Sequence, residues 1–297
     1  MSRPHLQAVL TAVFVTLLWS SSWVLIKEGL KDIDPLPFAG LRYAIAALVL
    51  SPILMLPSNR RRLMTCGRGQ WGLLIVFGLL QYGVTQAAQF FALSILPATT
   101  LSLMLAFTPA LVAILGSILL NERIGWREVV GVMVFVTGAL LYFLPGRLPE
   151  AALGGLAVGA LGVLANAGQT LLGRKVNRDT GLPPSLITAV SMAVGAASLL
   201  GTGVAIQGWP EMTLNGWLIV GWLAVVNTAL AFWLWNRAQR VLGALEASLI
   251  NNTMLIQIAV LAVVFIGERP TAVQWLGLAV AGLGVLYVQV VRMRRAA

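Results

Sequence analysis

The sequence predicts an all-α, polytopic membrane protein with ten transmembrane helices, arranged as two inverted repeats of five helices. Three observations lead to this prediction: an apolar composition, ten apolar segments joined by short loops, and an internal repeat. Of the 297 residues, 59% are hydrophobic and 10% are charged, whereas soluble domains have about 45–50% apolar and about 25% charged residues. A soluble protein of this length could not cover its surface with so few charges, so cytosolic domains are excluded.

Ten segments are each long and apolar enough to span a bilayer, which takes about 20 residues of α-helix. We interpret the first as an uncleaved membrane helix rather than a signal peptide, because many similar segments follow it. Proline and glycine mark several of the intervening loops, as at 34–37 and 181–184. The ten predicted helices lie near residues 7–27, 36–56, 71–91, 98–120, 127–144, 152–173, 184–206, 216–236, 245–266 and 271–291.

Basic residues are distributed unevenly between the two sides of this predicted bundle. Fifteen of the 20 Lys and Arg residues lie at the N-terminus, in loops that follow even-numbered helices, or in the C-terminal tail; only four lie in loops that follow odd-numbered helices. The positive-inside rule therefore predicts that both termini are cytoplasmic. The same rule accounts for the net charge of +10, so no nucleic-acid partner is expected.

An internal repeat relates the two halves of the chain. At an offset of 146 residues, thirteen identities fall between 90–142 and 236–288, against about five expected for so apolar a composition. The pairs Glu122-Arg123 and Glu268-Arg269 match at the ends of equivalent helices. Because five is an odd number, the second half must insert upside down relative to the first, as is typical of secondary transporters. The alternative is two similar apolar hairpins.

Several motifs resemble the EamA-type domains of the drug/metabolite transporter superfamily. The opening motif runs from Leu18-Trp19-Ser20-Ser21-Ser22-Trp23 to Phe38-Ala39-Gly40-Leu41-Arg42-Tyr43, and closing motifs end at Glu122-Arg123 and at Glu268-Arg269. The resemblance implies an inner-membrane carrier with one EamA-type repeat at 1–146 and an inverted second at 147–297. Its closest branch is that of the YddG-like aromatic and neutral amino-acid exporters. Ser20 and Leu255 depart from the family pattern, which usually has Gly and Pro there.

Polar residues near the middle of five helices predict a substrate site, since polar groups are costly in a membrane and usually face a cavity or another helix. At helical spacing they share faces and describe a neutral, partly aromatic chamber that could bind a zwitterion. Hydrogen bonds that simply join helices are the alternative. Trp233 and Trp235 are further cavity candidates. The predicted substrate-binding residues are Trp19, Ser22, Trp23, Tyr82, Gln86, Gln89, Asn166, Gln169, Asn227, Ser248, Asn251 and Asn252.

Two charged residues are expected to act as gate or structural charges. Arg42 lies inside a predicted helix, and we expect it to reach outward or to pair with Asp32, Asp34 or Glu268, with direct carboxylate binding as the alternative. Glu246 lies near the start of the ninth helix and is the best candidate for a proton relay. Because all ten acidic residues fall in loops or at helix ends, we expect facilitated diffusion or exchange rather than ion coupling.

Together these patterns predict a secondary transporter of the bacterial inner membrane that exports aromatic or neutral amino acids, or related small metabolites, by alternating access. A passive channel or receptor pore is the alternative. An enzyme is not expected, because the sequence shows no metal-ligand cluster, no paired acids and no activated nucleophile. No metal and no cofactor are expected, the partners are the small-molecule substrate and the lipid bilayer, and the expected unit is a monomer.

Overall fold

The computed structural model describes residues 3–120, 125–143 and 150–296, and every regular element within these ranges is helical. A short surface helix, Pro57–Met64, follows helix 2. The membrane helices are helix 1, Arg3–Gly29; helix 2, Pro35–Met55; helix 3, Arg68–Gly78, Leu79–Val84 and Thr85–Ile95; helix 4, Ala98–Leu105 and Thr108–Leu120; helix 5, Trp126–Phe143; helix 6, Glu150–Thr180; helix 7, Pro184–Gln207; helix 8, Leu214–Ala224, Val225–Leu230 and Ala231–Ala238; helix 9, Ala244–Asn252, Met254–Leu261 and Ala262–Ile266; and helix 10, Ala272–Ala296.

These helices confirm the predicted fold class. Within the described ranges, nine helices are long and apolar enough to cross a membrane. The tenth, helix 4, is apolar but interrupted, so its longest apolar helical stretch there is Ala98–Val112. Large apolar side chains such as Leu48, Leu140 and Leu283 are 70%, 61% and 63% exposed, as expected of surfaces that face lipid. Below, the N side is the side of the membrane where helix 1 begins, and the far side is the opposite one.

Some helices extend beyond their predicted ends. Helix 6 continues to Thr180, past the predicted end at 173, and its last turns carry exposed Arg174, Lys175 and Arg178. Helix 10 likewise runs to Ala296. Hydropathy detects only the apolar part of a helix, whereas backbone hydrogen bonding continues into the polar interface, where charged side chains stay hydrated.

Helices 5 and 10 pack together through glycines spaced seven residues apart in each helix. A Cβ at Gly138 would collide with the backbone of Ala281, and a Cβ at Gly277 would lie 2.6 Å from the backbone nitrogen of Tyr142. Helices 2 and 7 approach in the same way, because a Cβ at Gly40 would lie 2.6 Å from the Cα of Leu200. Small residues allow this close backbone approach between membrane helices, where no hydrophobic force drives association.

Two backbone irregularities recur at the offset found in the sequence. The π-helical turns Leu79–Val84 and Val225–Leu230 occupy equivalent places in helices 3 and 8, 146 residues apart. Helix 4 is interrupted at Ala106 and Phe107 and helix 9 at Thr253, again 146 residues beyond Phe107. The two five-helix repeats therefore share local distortions as well as sequence. Residues 144–149, which include the predicted boundary between the repeats, and the Glu122-Arg123 pair lie outside the described ranges.

Candidate functional site

A cavity of about 720 Å³ lies among the helices of the two repeats. It extends from Ile26 and Leu93, near the far-side ends of helices 1 and 3, to Arg174, near the N-side end of helix 6. Side chains from helices 1, 2, 3, 4, 6, 8, 9 and 10 line it. Both repeats therefore contribute to one site, as expected where substrate binds at a repeat interface.

Ten of the twelve predicted substrate-binding residues meet around this cavity. Tyr82 does not line it, and the side chain of Ser248 lies outside the described part of the structure. The residues that do line it are Trp19, Ser22, Trp23, Gln86, Gln89, Asn166, Gln169, Asn227, Asn251 and Asn252. Their role in binding substrate stays a prediction, but the structure brings them together from five helices.

Tyr82 is displaced from the cavity by the π-helical turn of helix 3. The prediction assumed 3.6 residues per turn, which puts Tyr82, Gln86 and Gln89 on one face. The π turn Leu79–Val84 adds a residue to the turn, and Tyr82 points instead into the protein, 2% exposed, with its ring 5.5 Å from that of Tyr43. Tyr43 lines the cavity, so Tyr82 supports the cavity wall from behind.

Asn227 links helix 8 to helix 1 beside the cavity. Its Nδ2 donates to the Leu18 carbonyl and lies 3.2 Å from the Oγ of Ser22. The Asn227 side-chain oxygen is buried and has no hydrogen-bond partner among the described residues. Gln81 Oε1 is likewise buried without a hydrogen-bond partner among the described residues. Gln81 lies at the equivalent position of the first repeat, inside the other π turn. Both π turns thus bring an amide side chain into the protein interior.

Aromatic rings form the wall on the helix 1 side. The Trp19 ring lies 5.5 Å from that of Phe232 and 5.2 Å from that of Trp235. Trp235 therefore packs against a cavity residue without lining the cavity itself. The second tryptophan candidate, Trp233, is 57% exposed, with the Arg237 guanidinium 5.8 Å from its ring centre. That side chain points away from the cavity, so its predicted place in the site is wrong.

Two amide clusters form the polar part of the wall. Asn166 Nδ2 donates to Thr108 Oγ1 at 3.1 Å, and Gln169 Nε2 donates to Asn166 Oδ1 at 2.8 Å. Thr108 follows the interruption in helix 4, so this cluster joins helix 6 to the point where helix 4 is broken. On helix 9, Asn252 exchanges hydrogen bonds with the side chain of Gln289. Sequence reasoning missed Gln289, which lies in the last turn of the tenth predicted helix, because the candidate residues were sought near the middle of each helix.

Arg42 departs from the expectation that it reaches outward or pairs with an acidic residue. Its side chain is 6% exposed, and its Nε donates to Thr228 Oγ1 of helix 8 at 3.1 Å. The guanidinium carbon lies 5.2 Å from the ring centre of Tyr43 and 6.0 Å from that of Phe90. Gly40 directs its own face of helix 2 against helix 7, and a residue two positions later projects about 200° around the helix, which is towards the cavity.

Glu246 lies outside the cavity wall and caps helix 9. Its carboxylate accepts a hydrogen bond from the backbone nitrogen of Gly243 at 3.1 Å and lies 3.1 Å from His5 Nε2. The side chains of His5 and Glu246 are 27% and 43% exposed. Negative charge is favourable at a helix N-terminus, so these contacts give Glu246 a structural role at the N side.

Residues from both repeats join beyond the far-side end of the cavity. The Glu268 carboxylate accepts hydrogen bonds from the backbone nitrogens of Ala98 and Thr99, at 2.5 and 3.2 Å, and from Thr99 Oγ1 at 2.7 Å. The Tyr142 hydroxyl lies 2.8 Å from Thr99 Oγ1. We call Ala98, Thr99, Tyr142 and Glu268 the far-side latch. The shared Glu-Arg pairs were the only sequence signal for it.

Lys27 strengthens the same region from helix 1. Its Nζ donates to the carbonyls of Leu93 and Leu96 at 2.7 and 2.8 Å. These carbonyls lie at the C-terminal end of helix 3, where unpaired backbone oxygens favour a cation. Helices 1, 3, 4 and the end of helix 9 are thus held together on the far side.

Comparison with known proteins agrees with this architecture. The model of the EamA-like transporter family matches residues 6–144 and 153–290. An Escherichia coli (strain K12) protein named "Probable amino-acid metabolite efflux pump" is 25% identical over 301 residues, covering 95% of this chain and 94% of that protein. A Pseudomonas aeruginosa protein named "Probable biotin transporter" is 27% identical over 244 residues, covering 81% of this chain and 82% of that protein.

Two further similarities extend over nearly the whole chain. A Chlamydia trachomatis (serovar L2) S-adenosylmethionine/S-adenosylhomocysteine transporter is 23% identical over 300 residues, covering 96% of this chain and 90% of that protein. A solved crystal structure matches with a TM-score of 0.69 at 17% identity, covering 98% of this chain and 99% of the other. At that identity the match shows a shared fold.

Proposed function

The chain belongs to the EamA-like transporter family, and from that premise we propose that it is a secondary transporter of the bacterial inner membrane. Its proposed task is the export of aromatic or neutral amino acids, or related small metabolites, by alternating access. Facilitated diffusion or exchange is the proposed mode. The polar, partly aromatic cavity shared by both repeats is the observation that carries this proposal.

The chemistry of the cavity supports a small, polar substrate of low net charge. A volume of about 720 Å³ falls within the range of roughly 300–1,000 Å³ found for small-molecule sites. Amide side chains such as Gln86, Gln89 and Asn166 offer both donors and acceptors, and Trp19 and Trp23 offer flat apolar surfaces. The relative named as an amino-acid metabolite efflux pump has a name consistent with this substrate class.

Alternating access is supported by the difference between the two ends of the cavity. The far-side latch and Lys27 hold helices together at one end, whereas Arg174, at the other end, is exposed. In inverted repeats, each half can adopt the local arrangement of the other. The interruptions in helices 4 and 9 lie at equivalent positions, and we propose that they bend as the open side changes.

The lack of acidic side chains supports facilitated diffusion or exchange. Among the described residues that line the cavity, none is Asp or Glu. Proton- and sodium-coupled carriers commonly place such a residue in the membrane. Glu246, the candidate for a proton relay, contacts Gly243 and His5 instead of the cavity.

The positive-inside rule supports an orientation with both termini in the cytoplasm. Fifteen Lys and Arg residues then lie on the cytoplasmic side and four on the outer side. In that orientation the N side is cytoplasmic, the far-side latch is external, and the described conformation is open towards the cytoplasm. We propose a monomer as the working unit, because one chain supplies both halves of the cavity.

Reconstitution into proteoliposomes tests this function. Vesicles that contain the protein are tested for uptake of labelled aromatic and neutral amino acids, with and without a pH gradient. We expect saturable uptake down the substrate gradient that a pH gradient does not drive uphill. Uphill accumulation driven by protons, abolished in Glu246→Gln, would contradict facilitated transport. Linear flux that does not saturate would favour a passive pore.

A further inference from the structure

We infer that the Arg42 guanidinium is the anchor for a substrate carboxylate, so that the transporter selects substrates by their carboxylate group and not by their amine. This inference rests on the proposed function and specifies its substrate class. It starts from an electrostatic fact: Arg42 is a buried cation in a membrane protein, and it lies on the wall of the cavity.

The charge of Arg42 has no acidic partner among the described residues. The ion pairs found there join Glu246 to His5, Glu28 to Lys31, and Asp179 to Lys175 and Arg178. Glu268, the expected partner, instead binds the backbone of Ala98 and Thr99. Arg cannot lose its proton in a protein, and a buried, unpaired charge is costly. A buried charge of this kind is expected to be kept because it takes part in substrate binding or transport.

The hydrogen-bonding capacity of the guanidinium is mostly unused. Of its five N–H groups, only that of Nε makes a hydrogen bond to the described residues, to Thr228 Oγ1. The rings of Tyr43 and Phe90 contact the guanidinium without using its donors. Nε and the rings fix the plane of the group, and the terminal nitrogens are left for a ligand. Two parallel N–H groups of this kind match a carboxylate in bidentate geometry.

The rest of the cavity explains why a carboxylate should matter more than an ammonium group. The charged side chains among the described lining residues are Arg42 and Arg174, so both are cations. Among these lining residues an ammonium group would meet only neutral partners, namely amide oxygens, hydroxyl oxygens such as those of Ser22 and Thr170, and aromatic rings. Neutral partners bind a cation more weakly than an acidic side chain would. A single buried guanidinium also matches one negative charge, which favours a carboxylate over a phosphate dianion.

Ligand-induced changes in the thermal unfolding midpoint of the purified, detergent-solubilised protein test the inference. Four compounds that share a phenyl ring are titrated: phenylalanine, 3-phenylpropionate, 2-phenylethylamine and phenyl phosphate. We expect phenylalanine and 3-phenylpropionate to bind at similar concentrations, and 2-phenylethylamine to require about 30-fold more, because losing one partner of a buried charge pair has an effect of at least this size. Phenyl phosphate should bind more weakly than 3-phenylpropionate.

Three variants test whether the preference for carboxylates depends on Arg42. Arg42→Gln should weaken binding of both carboxylates about 30-fold and leave 2-phenylethylamine unchanged. Arg42→Lys keeps the charge but loses the bidentate geometry, so it should give an intermediate loss. Arg127→Gln makes the same chemical change at an exposed arginine that stacks on Trp126, and it should bind like the unmodified protein.

The outcomes distinguish failure of the carboxylate anchor from failure of the proposed function. If the amine binds as well as the carboxylates, or if the preference for carboxylates survives in Arg42→Gln, the anchor is wrong while the transport function stands. Stronger binding of phenyl phosphate would overturn the choice of carboxylate. If none of the four compounds binds to the unmodified protein, both the aromatic substrate class and the anchor are contradicted. Should Arg42→Gln fail to fold, the order of the four ligands and the Arg42→Lys variant still decide.

Discussion

At the scale of single residues, the cavity wall is held in shape by hydrogen bonds between polar side chains. Asn166 is central to one cluster, because it donates to Thr108 and accepts from Gln169. Such a network holds the amides in fixed orientations, so a substrate meets preformed donors and acceptors rather than flexible chains. The cluster also joins helix 6 of the second repeat to helix 4 of the first, so it links predicted binding residues to a helix that is proposed to bend.

Replacing Asn166 with Leu tests whether this cluster contributes to substrate binding. The change keeps the size of the side chain but removes both hydrogen bonds, and we expect the half-saturation concentration for transport to rise about tenfold, as for loss of one or two buried hydrogen bonds. Concentration-dependent uptake into proteoliposomes measures this. The control is Asn177→Leu, at an exposed site three turns further along the same helix, where the side chain donates to the Gly173 carbonyl and to no other described residue. An equal effect in both variants would contradict a specific role for Asn166.

Whole helices carry the backbone features on which the proposed change of shape depends. Helices 3 and 8 contain π turns, and helices 4 and 9 are interrupted at equivalent positions. Helices 5 and 10, in contrast, are regular and pack backbone to backbone through glycines. The molecule thus combines one closely packed pair of helices with distorted helices around the cavity. Substitutions are therefore expected to affect packing stability in the first group and access to the cavity in the second.

The far-side latch should control access to the cavity from outside. Glu268→Ala removes a helix cap worth about 1–2 kcal/mol, which corresponds to a shift of roughly 5- to 30-fold between closed and open states. The measurement is labelling of an introduced Leu101→Cys by a membrane-impermeant maleimide in intact cells. Native Cys66 is replaced by Ser in this background. We expect Glu268→Ala to accelerate labelling about fivefold or more.

Glu211→Ala is the matched control for this experiment. Glu211 is an exposed acidic residue in the loop between helices 7 and 8, on the same side of the membrane. Labelling of Leu101→Cys at the same rate in all backgrounds would show that the latch does not gate the cavity. Equal acceleration by Glu211→Ala would mean that general loss of negative charge, and not the latch, is responsible.

Close packing of helices 5 and 10 should make their glycines intolerant of even one methyl group. In Gly138→Ala, the new Cβ would collide with the backbone of Ala281, so the helices must separate, at a cost of about 1–3 kcal/mol. We expect a lower thermal unfolding midpoint in detergent. The control is Gly154→Ala on helix 6, where a Cβ meets no atom within 4 Å. An unchanged midpoint in Gly138→Ala would contradict the tight packing.

Four features of the site differ in how far the sequence could predict them. The polar residues of the cavity were predictable, because burial of amides in a membrane is costly wherever it occurs. Tyr82 was misplaced because a π turn shifts the helical phase without any sequence pattern that marks it. Arg42 was expected to turn outward, since hydropathy gives the depth of a residue but not the neighbours on its face. The partners of Glu268 needed the arrangement of helices 4 and 9.

The whole molecule combines two repeats that contribute to one cavity. Each half supplies a set of amides, a π turn and an interrupted helix, and the two sets meet around a space of about 720 Å³. The latch then joins the end of helix 9 to the start of helix 4 on one side of the membrane only. An assembly of this kind is suited to exposing one binding site to each side in turn.

Counterflow is the most direct test of that central claim. Proteoliposomes are loaded with a high concentration of unlabelled phenylalanine, diluted, and given a trace of labelled phenylalanine outside. A carrier that exposes one site alternately must exchange inner for outer substrate, so we expect transient accumulation of label above its equilibrium level, reduced in Trp19→Ala. Entry of label that only approaches equilibrium, at a rate proportional to concentration, would show a passive pore and contradict the account.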